Sequence, residues 1–270
     1  MTDKAPTATL DGWTKAPFTG GGFTYDCYEK GSGPGVVLIP EIPGITPEVL
    51  GLAEHLVAEG FTVVVPSPFG QPGRAASTGY ILKTVSRLCV ASEFRAFAAG
   101  AHRPITDYLR AVASDLASRT PGRGVGVIGM CFTGGFALAV AVDDSVAASV
   151  LSQPAAPFPI GRARQMDPTM SPGEFDRVAE RASAGEVCAI GLRFSEDASV
   201  PRARFATIAD RLGDAFEVIE LDSSTGNPDG FARGAHSVLT NEVREHPQNN
   251  AYRARERVVE FLRDRLKAAT

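Results

Sequence analysis

Long apolar runs, blocks of basic residues and clustered cysteines are all missing from this 270-residue sequence. The longest apolar stretch, Phe136–Val142, falls far short of the roughly 20 residues needed to span a bilayer. The opening segment Met1–Leu10 lacks the apolar core of a secretory signal. No membrane partner and a cytoplasmic location are therefore expected. The formal net charge is −4 and no Lys/Arg block is present, which argues against a nucleic-acid partner. Cys27, Cys89, Cys131 and Cys188 lie far apart, with no CxxC pair and no Cys/His spacing of a metal site. Free, reduced thiols and no metal are the simplest expectation. No internal repeat or low-complexity tract stands out.

What is present is a globular composition, 44% apolar and 21% charged, in a chain long enough for one large core. Residues 1–16 read as a polar, loosely held tail, and 17–270 as a single domain. Phe23–Glu29 alternates enough for an antiparallel edge strand, closed by the turn Gly31-Ser-Gly-Pro34. Strand and helix patterns then alternate. Short buried strands are expected at Val36–Ile39, Phe61–Val65, Gly124–Ile128, Ala147–Leu151, Val187–Phe194 and Phe216–Leu221. Between them lie helical patterns at Thr46–Glu59, Thr106–Arg119, Gly134–Val142, Glu174–Ala182 and Pro201–Leu212, with a last one at Ala251–Lys267. Tyr80–Gly100 is a mixed helical stretch placed at one edge of a pocket. This alternation implies an α/β fold, a mostly parallel central sheet with helices on both faces. Ligands of such sheets bind beyond the carboxyl ends of the strands.

The segment Gly126-Val-Ile-Gly-Met-Cys-Phe-Thr-Gly-Gly135 carries the chemistry. A buried strand runs into a small-residue turn and then an Ala-rich helix. That is the layout of the G-x-S-x-G nucleophile elbow of α/β-hydrolases. Here Cys131 stands at the nucleophile and Thr133 at the second glycine. A helix start beside Cys131 favours its thiolate, and the Phe132 N–H is placed to serve an oxyanion. A structural cysteine on a tight turn is the alternative.

In this fold the acid and then the histidine follow the nucleophile. His55 lies on an early helix, with a surface position expected, and His102 precedes the elbow. His236, in the small-residue loop Gly230-Phe-Ala-Arg-Gly-Ala-His-Ser, is favoured over the polar-flanked His246. Asp197 follows the penultimate strand and could orient His236; Glu196 competes with it. From the residues alone, Glu41 is only a carboxylate at a strand end.

Four segments resemble the dienelactone hydrolase family: Ile39-Pro-Glu41-Ile-Pro-Gly44, Gly129-Met-Cys131-Phe-Thr-Gly-Gly135, Asp197-Ala-Ser-Val-Pro201 and Gly234-Ala-His236-Ser. The match runs from about residue 17 to the C-terminus. The resemblance implies the α/β-hydrolase fold with Cys131, His236 and Asp197 as a catalytic triad. It implies a fourth residue, Glu41, that contacts the thiol and helps control its ionisation. It also gives Ile42 an oxyanion-hole N–H beside that of Phe132. Family members that cleave dienelactones carry an arginine after the second parallel strand and another four residues after the histidine. Here those places fall near Gln71, with Arg74 close by, and on Thr240. Gln71 and Arg74 become candidate substrate contacts, and acceptance of an anionic dienelactone is left open.

The expected function is hydrolysis of a small-molecule ester or lactone, with no cofactor, by a monomer or homodimer. The same site would serve a thioesterase or acyltransferase. A hydrolase-like binding or redox-sensing protein is the rival from another class.

Overall fold

A computed structural model describes residues 4–267. In chain order the strands are β1 (Thr14–Gly20), β2 (Phe23–Gly31), β3 (Gly35–Ile39), β4 (Thr62–Pro66), β5 (Val125–Met130), β6 (Val146–Ser152), β7 (Cys188–Phe194) and β8 (Phe216–Leu221). The helices are α1 (Pro47–Ala58), α2 (Thr78–Val90), α3 (Pro104–Arg119), α4 (Phe136–Val140), α5 (Arg162–Met166), α6 (Pro172–Ser183), α7 (Arg202–Leu212) and α8 (Asn250–Leu266). The sheet order is β1-β2-β4-β3-β5-β6-β7-β8. β1 and β2 pair antiparallel, as do β2 and β4; every other neighbouring pair is parallel.

The central strands β3 to β6 are buried along their whole length. That is why they read as continuous Val/Ile/Leu runs and not as alternating ones. On one face, Val49, Leu50 and Leu56 of α1 join Val258, Val259 and Leu262 of α8. On the other, α3 and α4 pack through Tyr108, Leu109, Phe136 and Leu138, and α6 and α7 through Val178 and Ile208. Gly126 of β5 is needed for α8 to approach, because a Cβ there would meet Leu262 Cδ2 at 2.5 Å.

Three expectations from the sequence differ from the structure. The strand at 23–31 is not the edge: β1 lies outside it. Nor is the chain before residue 17 loose where it is described. Ala8 N donates to Pro47 O at 2.9 Å, and buried Trp13 donates from Nε1 to Glu54 Oε1 at 2.7 Å. The polar composition hid a segment that packs on α1 through its backbone and one indole; Met1–Asp3 lie outside the described residues. The helix expected over 134–142 is only α4, Phe136–Val140. Buried Arg181 donates from Nη1 to the carbonyls of Ala141 and Asp143, which supplies the partners that end a helix otherwise lacks.

A second buried arginine shapes the region between β6 and α6. Arg204 donates from Nε to Asp167 O at 2.8 Å and from Nη2 to Pro157 O at 2.7 Å and Arg164 O at 2.9 Å; Nη1 reaches Pro154 O. Burial pulls its pKa down to about 10. One guanidinium thus ties together a segment with little regular structure. Replacing Arg204 by Met keeps the bulk and strands those carbonyls. It should cost about 3 kcal/mol in urea-induced unfolding, and a loss below about 1 kcal/mol would show that the carbonyls find other partners.

Candidate active site

β5 ends in the turn Cys131–Thr133, and Cys131 takes φ 53°, a left-handed conformation that only a few per cent of non-glycine residues adopt. Such a conformation costs roughly 1–3 kcal/mol and persists where the surroundings impose it. They do so here. The Cys131 carbonyl accepts from Gly134 N at 3.0 Å and Ala155 N at 2.9 Å. Gly129 faces the Thr133 carbonyl so closely that a Cβ would lie 2.3 Å from its oxygen. The Thr133 hydroxyl, fully buried, accepts from Met130 N at 3.1 Å and lies 2.9 Å from Met130 O, 3.2 Å from Pro40 O and 3.3 Å from Ile39 O. It fastens the elbow to the end of β3, which a glycine there could not do.

Cys131 opens into a cavity of about 320 Å³. Its lining includes His236, Ser237 and Ser199 as well as Glu41, Ile42 and Phe132. These residues come from the ends of β3, β5, β7 and β8 or the loops beyond them. His236 Nδ1 lies 2.5 Å from Asp197 Oδ2. Asp197 Oδ1 accepts from Ser199 N at 2.9 Å and Ser199 Oγ at 2.6 Å. Burial works against a charged imidazole, but the Asp197 carboxylate and the Cys131 sulfur outweigh it and hold His236 well above its ordinary 6.5. Burial likewise opposes the Asp197 charge, and the hydrogen bonds from His236 and Ser199 outweigh it, keeping the carboxyl below its ordinary value. His236 and Asp197 thus form a hydrogen-bonded pair, and His236 and Cys131 line the same cavity.

The other sequence candidates fall elsewhere. Glu196 pairs with Arg233 at 2.9 Å. His102 sits between Glu174 and Asp107, and His55 is partly buried beside Glu256 rather than on the surface. His246 is not part of the cavity lining. Gln71 and Arg74 do not line the Cys131 cavity either. They line a separate cavity of about 410 Å³ with Tyr80, Lys83 and Arg87. Arg74 stacks over the Tyr80 ring and donates to Gln71 Oε1, so the loop after β4 turns its polar groups away from the sulfur.

Glu41 lines the cavity but its hydrogen bonds go elsewhere than to the thiol. Oε1 accepts from Thr240 Oγ1 at 2.5 Å; Oε2 accepts from Ser237 Oγ at 2.9 Å and Gln153 Nε2 at 3.2 Å. Gln153 Oε1 in turn accepts from Ser152 Oγ and from Val238 N at 3.4 Å. Ser199 and Gln153 were not singled out from the sequence. Ser199 had a signal, since Asp-x-Ser favours a local turn in which the carboxylate caps the following N–H. Gln153 had none: it matters because β6 ends beside β3.

The sequence profile of the dienelactone hydrolase family matches residues 23–266. With this fold, the match makes the chain a member of that family and a hydrolase. No curated protein matches it by sequence. Among solved structures it is similar to a dienelactone hydrolase-like promiscuous phosphotriesterase from metagenomic libraries, with TM-score 0.61, 17% identity, and coverage of 93% of this chain and 98% of that one. It is also similar to the dienelactone hydrolase of Anabaena variabilis, with TM-score 0.58, 12% identity, and coverage of 94% and 98%. The α/β hydrolase GrgF from Penicillium sp. aligns with TM-score 0.58 and 13% identity over 94% and 99% of the two chains. At these identities the likeness concerns the fold. Among the described residues, no helix is long and apolar enough to cross a membrane.

The electrostatics of His236 give a titration with a definite sign. Its stabilising contribution is complete below the ordinary value of 6.5 and is lost as pH rises through the higher value of the folded state. The stability advantage of the wild type over His236→Gln should therefore shrink as pH rises above 6.5. Asp197→Asn should bring the His236 titration, followed by NMR, down towards the ordinary imidazole range. An unmoved titration would mean that Asp197 does not hold the proton.

Proposed function

We propose that this enzyme hydrolyses a carboxylic ester or lactone through Cys131, His236 and Asp197. The observation that carries the reading is Cys131 held at φ 53° on the strand-to-helix elbow, in one cavity with His236, whose Nδ1 lies 2.5 Å from Asp197 Oδ2. His236 takes the thiol proton, and the Cys131 sulfur attacks the carbonyl carbon. The N–H groups of Ile42 and Phe132 hold the negative oxygen that forms. When the tetrahedral intermediate collapses, the C–O bond breaks and the alcohol leaves with the proton from His236. A water, deprotonated by His236, then attacks the thioester, and the acid departs as the thiol is restored. In a lactone the alcohol and acid remain one molecule.

Asp197 orients the imidazole and stabilises its charged form. Glu41 shapes the cavity wall, and Thr240, Ser237 and Gln153 fix its position.

Incubation with an activated ester, quenched within a turnover, should add one acyl mass to the peptide containing Cys131. Cys131→Ala should lower kcat/KM by at least about a thousandfold, the scale of losing a nucleophile. Retention of esterase activity in Cys131→Ala would remove this assignment. Release of new esters or amides in place of acid, when alcohols or amines compete with water, would redirect it to acyl transfer.

A further inference from the structure

The cavity into which Cys131 opens is lined by one carboxylate, Glu41, and by largely uncharged side chains. We infer that the substrate is an uncharged, apolar ester or lactone, and that carboxylate-bearing esters are selected against; the inference rests on the hydrolase reading of the same cavity. Among the residues lining that cavity, none is Lys or Arg. Its ionisable side chains besides Cys131 are Glu41 and His236, and His236 already faces the Asp197 carboxylate at 2.5 Å. Glu41 therefore adds a negative charge that no cation on the cavity wall offsets. Its three hydrogen bonds come from a Thr, a Ser and a Gln, all neutral donors. At contact distances a like charge in such a setting is costly even with the high effective permittivity of a protein surface.

The cations of α2 line a different cavity. α2 presents Ile81 and Val85, one helical turn apart, to the Cys131 cavity. Lys83 and Arg87 lie roughly 200–240° around the same helix from Ile81 at 100° per residue, and they line the neighbouring cavity with Arg74. The two cavities share no lining residue. α2 thus turns two aliphatic side chains to the nucleophile's cavity, while its buried residues Tyr80, Thr84 and Leu88 line the other one.

The remaining wall mixes uncharged polar groups, Thr46, Ser199, Ser237 and Asn241, with the rings of Phe132 and Phe158. The Phe158 ring packs at 5.3 Å from Phe97. Phe97 is 43% exposed, Ile81 36% and Leu82 65%. Ile160, 65% exposed, is tied to the same segment by its N–H to Phe158 O at 2.7 Å. The apolar surface continues from the cavity to the outside, which suits a hydrophobic chain that extends past the mouth.

The test compares two acyl groups of equal length, 4-nitrophenyl pentanoate and mono-4-nitrophenyl glutarate, at pH 7. The neutral ester should have the higher kcat/KM by at least about tenfold. Binding of the unreactive anilides of pentanoic and glutaric acid, read as protection of Cys131 from alkylation, should follow the same order. Ile81→Arg, at an exposed position on the cavity edge, should narrow the difference at least severalfold. A glutarate ester turned over as well as the pentanoate, a glutaric anilide bound as tightly, or an unchanged ratio in Ile81→Arg would each overturn the inference. If neither ester is hydrolysed while the neutral anilide still protects Cys131 better, the hydrolase reading fails and the ligand class stands.

Discussion

Everything in this site depends on the turn that holds Cys131 at φ 53° between β5 and α4. The conformation is unfavourable for an L-residue, and it survives because the elbow is overdetermined. Gly129 admits the Thr133 carbonyl where a Cβ would collide, and the Cys131 carbonyl is claimed by two N–H groups. Thr133 adds a hydroxyl within reach of the carbonyls of Ile39 and Pro40. The same turn that exposes the sulfur therefore fixes the end of β3, from which Glu41 and Ile42 enter the cavity.

From that anchor the electrostatics follow. The His236 charge is set by two neighbours delivered from different strands, Asp197 beyond β7 and Cys131 beyond β5. Glu41 is supported by a different set, Thr240 and Ser237 from the histidine loop and Gln153 from the end of β6. Thr240 donates a neutral hydrogen bond to Glu41. The carboxyl group keeps a partner but meets no Lys or Arg on the cavity wall.

The walls are built on separate principles. Arg204 organises residues 154–167 through backbone carbonyls, and Ala155 and Phe158 of that segment face the sulfur. α2 supplies another part of the wall through Ile81 and Val85. A buried charge satisfied by carbonyls is expensive to replace.

The sequence alone shows the alternation of strand and helix, the elbow at Cys131, and Asp197 and His236 following it in chain order. Those features are local. Buried parallel strands need unbroken apolar runs, and a tight elbow needs small residues at fixed offsets. It also placed Glu41 at a strand end. The outer strand β1 and the packed segment before it were not legible, because polar composition does not reveal backbone pairing or a single buried indole. Tertiary packing sends Glu196 to Arg233 and Asp197 to His236, since neighbouring residues after a strand point in different directions. Only it turned Gln71 and Arg74 into another cavity and brought Gln153 and Thr240 onto Glu41. Those contacts join residues more than a hundred positions apart. They exist because parallel strands deliver their carboxyl ends to one edge of the sheet, whatever their distance along the chain.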